Sequence, residues 1–566
     1  MGGSVVGQVV IARGVDGYYH PSTEEEVVAL VRYAAANALQ IRVRGASHST
    51  AWSVFTDSVD DKPENRTLNR RPPAGPNLDL VLDRMNRLTW IDEAHGVVEA
   101  EAGIHLGADP YDPVGVATLE NSLLYQLFQK GWGLNDLGGI THQTVSGFLA
   151  TGSAGGSLRF DLDNVLAFRV VDGTGAASWI ERDDPVFDAV AVSMGLLGIV
   201  TKVRLRLNRT FVIDGNEVTT PTTGPDCPID LFGPGTATTP SMRQFLETTD
   251  YSRVLWWPQS NAERVVIWQA IRQEAPPSPE QNTVPYREFT PDLGGWVQQL
   301  AAGILYLLLG NPGFAVVPKL RRAYGRFAQS LAATWSGGLL ARTAAVVVAV
   351  VLAVVLLLPT LVFILFPALL RALFPTVLNA FQPLGPGQTF HDHYWRSLCM
   401  DNTADDILLG TEFTEIWVPI TYTERAMTLM RDMFAHGGAA ATGYYSTEVY
   451  GAGPSSAWLS PAYSDGSDEY KDGVVRFDVF WFRDNASEPN VAGGYFQQYW
   501  ELFAANGIPF RFHWGKFIPA YDLGRWAEHY RASLPRFADF LQLRARRDPH
   551  DVFFTRYWRE RFTTPA

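Results

Sequence analysis

Cysteine is nearly absent from this chain, which carries only Cys227 and Cys399 in 566 residues. Two distant cysteines provide neither a disulfide framework nor a zinc site, so we predict no metal site and a reducing compartment. Basic residues are also outnumbered by acidic ones, which gives the chain a net charge of −13 at pH 7. This excess of negative charge argues against general binding of nucleic acids.

Residues 1–6 lack a charged region followed by a long apolar run, so we expect no secretory signal. Apolar residues, in contrast, make up 46% of the chain and include 17 tryptophans, which is enough to bury sizeable cores. At this length two domains are the default expectation. A capping box formed by Ser22 and Glu25 before a helical pattern, together with alternating runs such as 253–257 and 474–482, predicts an α+β fold.

A turn over residues 44–49 is the most informative local motif. It closes a strand predicted at 39–44 and reads Arg44-Gly45-Ala46-Ser47-His48-Ser49. Two serine hydroxyls, a glycine and the backbone N–H groups of a tight turn suit a diphosphate. A phosphate-binding turn does not need a histidine, so His48 indicates an additional role.

A second stretch of small residues runs from 137 to 157. It is rich in glycine and alanine and is interspersed with serine and threonine. Such a backbone can approach a ligand closely, and its hydroxyls can donate hydrogen bonds to phosphates. One glycine-rich run is often only a turn. Two of them, each beside strand-like sequence, indicate a nucleotide-type cofactor.

The two loops, in this order, resemble those of the vanillyl-alcohol-oxidase-type flavoproteins, and within that family those of the aldonolactone oxidases. The resemblance covers about 13–210 and about 385–566. Further motifs stand where that family would have them. They are Tyr19-His20-Pro21 before a helix, the segment 193–201, His513-Trp514-Gly515-Lys516, and the segment 548–554.

The resemblance implies a two-domain PCMH-type FAD-binding fold with an antiparallel-sheet cap domain. Residues 1–210 would form the FAD-binding domain and 211–566 the cap domain, with the segment 515–566 returning to the FAD-binding domain. The implied cofactor is FAD, attached covalently through His48. The implied cofactor-binding residues are Arg44, Gly45, Ala46, Ser47, His48, Ser49, Gly138, Thr144, Ser146, Gly147, Thr151, Gly152, Ser153, Gly198, Ile199 and Val200.

Oxidation of an alcohol by a flavin needs a base for the hydroxyl proton and a cation near the reduced ring. The resemblance implies that Lys516 either is that cation or contacts the substrate hydroxyl, and that Glu448 matches a substrate-contacting glutamate. Tyr450 stands where the relatives carry an arginine, and Asp478 where they often carry a histidine. Period-two spacing places Glu448 and Tyr450 on one face of their strand. We predict catalytic roles for all four residues.

Departures from the family pattern indicate a changed substrate pocket. Ala154 stands where many relatives have a histidine, in addition to the changes at Tyr450 and Asp478. Asp478 could equally be a solvated strand residue. Glu412 and Glu415, on a neighbouring predicted strand, are expected to be less involved in substrate contact.

The matching halves are separated by a long insertion at 285–388. No charged residue occurs between Arg342 and Arg371, and at about 1.5 Å per residue a helix of that length exceeds a ~30 Å hydrocarbon layer. A second uncharged stretch, 293–318, is a poorer span. We therefore predict an apolar helical insertion that binds a membrane through 293–318 and 343–370. A buried core helix and a soluble oligomer that buries these segments remain alternatives.

Both matching halves form one site and must lie on the same side of a membrane. An even number of crossings or a shallow insertion into one leaflet meets this requirement. Basic residues between the two apolar segments suit anionic headgroups, so we favour shallow insertion. The expected location is membrane-associated, with the catalytic domain in the cytoplasm.

The predicted function is FAD-dependent oxidation of a CH–OH group, similar to that of D-arabinono-1,4-lactone and gulonolactone oxidases. The resemblance implies hydride transfer to flavin N5, with electrons passing to oxygen or to a membrane quinone. The alternative substrate is a sterol or a lipid-linked alcohol that enters from the bilayer. A catalytically silent membrane scaffold is a third hypothesis, which the retention of His48, Glu448 and Lys516 disfavours.

Overall fold

A computed structural model describes most of the chain outside the central insertion. The described residues are 4–6, 9–49, 51–58, 75–110, 112, 114–159, 164–259, 262–274, 283–286, 343, 347, 375–376, 378–379, 382–401, 411–443, 445–482, 491–520 and 526–563. They combine helices with antiparallel sheets, which confirms the α+β prediction. The predicted apolar segments 293–318 and 343–370 lie outside them, apart from residues 343 and 347. Across the described ranges, no helix is both long and apolar enough for a membrane span.

The described strands before residue 210 form a five-stranded antiparallel sheet and three two-stranded sheets. The five-stranded sheet has the order β5-β6-β10-β8-β9, and β3 and β4 pair in parallel. The strands are β1 (Ser4–Val6), β2 (Val9–Ile11), β3 (Ile41–Arg44), β4 (Leu78–Val81), β5 (Leu88–Asp92), β6 (Val97–Glu101), β7 (Trp132–Gly133), β8 (Val165–Val171), β9 (Ala177–Glu181), β10 (Ile199–Arg206) and β11 (Asn208–Arg209). The helices are α1 (Glu24–Ala36), α2 (Ala51–Val54), α3 (Leu123–Gln129), α4 (Val145–Ala150) and α5 (Phe187–Ala191).

The strands from residue 211 onward form an eight-stranded antiparallel sheet with the order β15-β12-β14-β13-β17-β18-β16-β19. These strands are β12 (Phe211–Pro221), β13 (Tyr251–Trp257), β14 (Arg264–Glu274), β15 (Gly385–His393), β16 (Thr411–Pro419), β17 (Thr447–Ala452), β18 (Val474–Phe482) and β19 (Arg511–Phe512). The helices are α6 (Met242–Thr248), α7 (Tyr394–Ser397), α8 (Thr423–Ala441), α9 (Gln497–Ala505), α10 (Trp526–Ser533), α11 (Phe537–Arg547) and α12 (Arg556–Phe562), with a 3₁₀ turn at Ile420–Tyr422 and a π-helical turn at Val491–Phe496.

The N-terminus of α1 differs from the predicted capping box of Ser22 and Glu25 by one position. Thr23 is the N-cap, and its hydroxyl accepts a hydrogen bond from the Glu26 N–H at 3.3 Å. The Glu26 carboxylate in turn accepts from the Ser22 N–H at 2.5 Å. Ser22 and Thr23 are both suitable caps, and each is followed three residues later by glutamate, so the sequence pattern alone does not separate the two registers.

The last described segment packs against the first strands and helps to shape the cavity described below. The Ile41 N–H donates to the Val552 carbonyl at 2.7 Å, and Trp558 Nε1 donates to the Ser53 carbonyl at 3.2 Å. The fully buried Asp548 orders this segment, because its carboxylate accepts from the Val552 N–H at 2.8 Å and from the Phe553 N–H at 2.9 Å.

Replacing Asp548 with alanine is expected to lower the free energy of unfolding by about 2–4 kcal/mol, because two buried N–H groups lose their acceptor. Chemical denaturation measures this change. Asp539→Ala is the matched control: Asp539 is an exposed residue on α11 that pairs with Arg536 at 2.6 Å. It should cost less than about 1 kcal/mol. Equal losses for the two variants would contradict the structural role of Asp548.

Candidate active site

A cavity of about 1460 Å³, including open solvent at its mouth, lies between the two predicted loops and the C-terminal segment. Its lining includes the end of β3, the turn that follows, α4 and the start of β10. The cavity therefore draws its lining from parts of the chain that lie far apart in the sequence.

Most of the residues predicted to bind the cofactor line this cavity. They are Arg44, Gly45, Ala46, Ser47, His48, Ser49, Thr144, Ser146, Gly147, Thr151, Gly198, Ile199 and Val200. Gly138, Gly152 and Ser153 do not line it. Ser153 lies behind it, where its hydroxyl donates to Gln143 Oε1 at 3.3 Å.

The turn after β3 has an unusual backbone that brings the two loops together. Ser47 adopts a positive φ of 64°, and its hydroxyl accepts a hydrogen bond from Arg44 Nη1 at 2.8 Å. A Cβ added to Gly45 would lie only 2.6 Å from Thr144 Oγ1. Only glycine permits this approach of the first loop to the second.

The sequence interpretation missed several residues that line the cavity. These are Asp16, His20, Arg42, Ser53, Asp83, Gly103, His105, Gln143, Ser193, Met194, Gly195, Trp514, Phe553 and Trp558. Some belong to motifs that the family resemblance had singled out, at 19–21, 193–201, 513–516 and 548–554, so a local signal was present. Arg42 and Gly103 carried no such signal, because their role depends on how distant strands meet.

His20 is held between two carboxylates at the edge of the cavity. Its Nδ1 lies 2.8 Å from Asp83, and its Nε2 lies 3.0 Å from Asp16. The hydrogen bond to Asp83 raises the pKa of His20 despite its burial. A folded-state pKa above the unfolded value means that this contact stabilises the fold at low pH.

The His20 contact should therefore be lost as the pH rises through the raised folded-state pKa. Around that pKa, His20→Gln is expected to flatten the pH dependence of the free energy of unfolding. Well above that pKa, the substitution should change this pH dependence little. Denaturation across a pH series measures the difference. A wild-type curve without any His20-dependent slope would contradict the assignment.

His48 adjoins a second histidine across the cavity wall. The ring centroids of His48 and His142 are 5.5 Å apart, and His142 Nε2 lies 3.6 Å from the Asp401 carboxylate. Asp401 also accepts from the Thr141 N–H at 2.7 Å, and the Met400 N–H donates to the Gly139 carbonyl at 2.6 Å. The segment Met400–Asp401 thus braces the second loop beside His48.

Three of the four predicted catalytic residues, Glu448, Tyr450 and Asp478, lie on one face of the eight-stranded sheet. Glu448 is directly opposite Asp478, and Asp478 is directly opposite Glu415. Directly opposed residues of antiparallel strands project to the same side, with Cβ atoms roughly 4.5–5.5 Å apart. We call this set of three the carboxylate row. Asp478 is buried, so its alternative interpretation as a solvated strand residue is wrong.

A second set of opposed residues, Tyr450, Arg476 and Trp417, lies beside the carboxylate row. The Tyr450 hydroxyl donates a hydrogen bond to Glu448 and lies 3.9 Å from Met400 Sδ. Arg476 is buried over the Tyr450 ring at 4.5 Å. Its Nη1 donates to the Ala154 carbonyl at 2.8 Å. The second loop therefore contacts the sheet at Ala154, which is one of the positions where the sequence departs from the family pattern.

Glu415 lies much closer to the site than we expected from its sequence. It is 3% exposed and 3.5 Å from Arg476, and it accepts a hydrogen bond from Trp417 Nε1 at 2.7 Å. Arg476 was not predicted at all. Glu412 lies three residues before Glu415 on β16, so its side chain projects to the other face of the sheet.

The loop from His513 to Lys516 joins the cavity to the carboxylate row. The His513 N–H donates to the Glu415 carbonyl at 3.1 Å, while Trp514 lines the cavity. A Cβ on Gly515 would lie 3.1 Å from Ser49 Oγ. Lys516 Nζ lies 3.9 Å from the centre of the Phe413 ring. One short loop thus contacts both the turn at 44–49 and the strand that carries Glu415 of the carboxylate row.

Burial and neighbouring charges together set the protonation of the carboxylate row. It raises the pKa of Glu448 above the ordinary glutamate value and that of Asp478 well above the ordinary aspartate value, with the nearby Glu415 charge adding to the rise at Asp478. Burial also lowers the pKa of His513 to about 4, so this ring is neutral near pH 7. We therefore attribute the lowered pKa of Glu415, which opposes the effect of its burial, to Arg476 and Lys516 rather than to His513.

Comparisons with known proteins confirm the resemblance to aldonolactone oxidases. The chain is 24% identical to D-arabinono-1,4-lactone oxidase of Eremothecium gossypii over 263 residues, which are 46% of this chain and 41% of that enzyme. It is 23% identical to L-gulonolactone oxidase of Bos taurus over 310 residues, 51% of this chain and 59% of that enzyme. The chain therefore spans about half the length of the curated relatives it matches. No family model matches it.

Among solved structures, cholesterol oxidase from Brevibacterium sterolicum has a similar fold. The TM-score is 0.61 and the identity 14%, over 97% of this chain and 94% of that one. At this identity the likeness concerns the fold alone. It supports the coarse architecture of a mixed fold with a large antiparallel sheet.

Proposed function

We propose that this protein is an FAD-dependent oxidoreductase that oxidises a CH–OH group of a sugar lactone or a similar hydroxylated compound. One observation carries the proposal: the His513–Lys516 loop joins the cavity to the buried carboxylate row. A cofactor in the cavity and a substrate over the carboxylate row would then meet at this loop. The names of the curated relatives support a lactone as substrate and oxygen as electron acceptor.

The cavity has the chemistry that FAD requires. Hydroxyls of Ser47, Ser49 and Thr144 line it, and the buried Arg44 beside them supplies positive charge for a diphosphate. Arg44 Nε has no hydrogen-bond partner within the described part of the chain. A buried donor in that state favours a bound acceptor. His48, in the same turn, is our candidate for covalent attachment of the flavin.

The chemistry that FAD would supply in the cavity is that of a hydride acceptor for the carbon that carries the hydroxyl group. Glu448 is placed to take the hydroxyl proton, and burial raises its pKa, which makes it a stronger base than an ordinary glutamate. The Tyr450 hydroxyl holds the Glu448 carboxylate in place. Lys516 supplies positive charge at the junction with the cavity.

A polar substrate fits these residues better than a sterol does. Glu448, Asp478 and Arg476 present charged or hydrogen-bonding groups, and such groups would stay unpaired against a hydrocarbon skeleton. The alternative of a lipid substrate depends on the predicted insertion, which lies outside the described residues. Quinone as acceptor stays a prediction for the same reason.

The decisive experiment is anaerobic mixing of the purified protein with D-arabinono-1,4-lactone, gulonolactone, polyols and a sterol. We expect a yellow protein whose flavin absorption is bleached by a lactone and restored by oxygen. A colourless protein that cannot be reconstituted with FAD would refute the proposal. Bleaching by the sterol alone would replace the lactone with the lipid alternative.

We further propose that the protein is membrane-associated through 293–318 and 343–370, with its catalytic part in the cytoplasm. The full chain is expected to sediment with phospholipid vesicles that contain anionic lipids, because the basic residues between these segments would meet the headgroups. Deleting 290–385 should abolish sedimentation. Full-length protein that stays in the supernatant would exclude this attachment.

A further inference from the structure

Arg253 on β13 has both terminal guanidinium nitrogens buried without a partner. The residue is 4% exposed, and neither Nη1 nor Nη2 has a hydrogen-bond partner among the residues that the structure describes. Buried polar groups in proteins are nearly always paired, and an unpaired buried cation is especially costly. This side chain therefore indicates a partner other than the residues that the structure describes, and a bound ligand would supply one.

Aromatic rings fix the Arg253 guanidinium in place. Its central carbon lies 4.3 Å from the centre of the Trp268 ring and 5.4 Å from that of Tyr286. Trp268 is also its directly opposed residue on β14. Stacking of this kind stabilises a cation through its flat face. The N–H groups, which project from the edge, remain available for a ligand.

Arg253 belongs to the same face of the sheet as the proposed catalytic residues. Leu255 is opposite Glu448, and extending this register by two residues places Arg253 across from Tyr450. Burial raises the pKa of Glu448, and the Arg253 charge is among the influences that oppose the rise. The guanidinium therefore lies within electrostatic reach of the proposed base.

The carboxylates near Arg253 already have other partners. Glu217 accepts hydrogen bonds from Tyr286 at 2.8 Å and from Gln388 at 3.4 Å, and Glu448 accepts from Tyr450. Further buried polar atoms of the cluster, Asp478 Oδ1 and Arg476 Nε, lack partners in the described ranges. A ligand with several oxygen atoms would satisfy the whole group.

We propose that Arg253 binds the O–C=O group of the substrate, which is the carboxylate of a sugar acid or the ester group of its lactone. The two terminal nitrogens of a guanidinium form a planar fork that matches two coplanar oxygens. This inference rests on the proposed function, which it makes more specific. A polyol or a sterol lacks the group and leaves the buried cation unpaired, so the site discriminates against both.

The test compares the wild-type protein with Arg253→Met and Arg253→Lys. The measurements are flavin reduction by an aldonolactone and calorimetric binding of the corresponding sodium aldonate. Arg253→Met should raise the KM for the lactone or the Kd for the aldonate by roughly 10- to 100-fold, because a charge-assisted contact is lost, with a smaller change in kcat. If the lactone loses affinity, Arg253 binds the ester group of the lactone. If the aldonate loses affinity, Arg253 binds the carboxylate of the sugar acid. Arg253→Lys keeps the charge and should recover part of the binding.

Arg272→Met is the matched control, since Arg272 on β14 stacks on Phe211 at 3.9 Å in the same sheet. It should leave both constants within about twofold of wild type. Unchanged constants in both Arg253 variants, or no binding of either compound to the wild type, would overturn the inference. If Arg253→Met fails to fold, Arg253→Lys alone decides. Arg253-dependent binding of the aldonate without any flavin reduction would instead refute the proposed oxidation and leave the binding site standing.

Discussion

Replacing Glu448 with glutamine is expected to lower kcat for lactone oxidation by about 100- to 10,000-fold, which is the usual contribution of a general base. Glutamine keeps the size of the side chain but cannot take the hydroxyl proton. Its amide can still contact Tyr450, so the fold and the flavin spectrum should not change. Stopped-flow measurement of flavin reduction under anaerobic conditions isolates this step.

The pH dependence gives a second measure of the same role. Because burial raises the pKa of Glu448, wild-type kcat/KM should fall as the pH drops through a value above that of an ordinary glutamate. The residual activity of Glu448→Gln should lack this acid limb. Tyr450→Phe is the matched control: it removes the hydroxyl that donates to Glu448 and contacts Met400, but it leaves the Glu448 carboxylate and should cost far less in rate. A glutamine variant with near wild-type rates would assign the base to another residue.

Replacing His48 with alanine is expected to convert all of the flavin from an acid-stable to a removable form. In the wild type, denatured protein should keep a fluorescent flavin band on a gel after acid treatment. The alanine variant should lose it completely, because the alanine side chain cannot form the bond. The remaining cavity still offers Arg44 and the serine hydroxyls, so noncovalent FAD should bind after reconstitution.

The neighbouring His142 provides a matched control for this experiment. Its ring lies 5.5 Å from that of His48, so His142→Gln perturbs the same region and keeps the proposed attachment site. We expect this variant to retain acid-stable flavin. Loss of the band in His142→Gln together with its retention in His48→Ala would move the attachment to His142. Absence of the band in the wild type would exclude a covalent bond altogether.

The sequence predicted those parts of the site that are local in the chain. The turn at 44–49 and the run at 137–157 are short motifs whose residue types already express their chemistry, and most of the predicted residues line one cavity. Glu448 and Tyr450 could be placed on one face because a single strand has a period of two.

Residues whose role depends on pairing between strands could not be predicted in this way. Arg476 meets Glu415 across β18 and β16, and Arg253 reaches the same face from β13. The register between such strands follows from packing between segments that lie far apart in the chain, and a shift by one residue would turn each side chain to the opposite face. For this reason the sequence does not reveal that Glu415 is buried within the carboxylate row.

The segment Met400–Asp401 has a consequence for how the two halves of the site work together. It touches Tyr450 through the Met400 sulfur and holds the loop beside His48 through Asp401. Because the two contacts belong to adjacent residues, a displacement of this segment would disturb both of them together. A bulky inhibitor that displaces Met400 should therefore also weaken binding of the proposed FAD, and binding of FAD should order the substrate side before any substrate arrives.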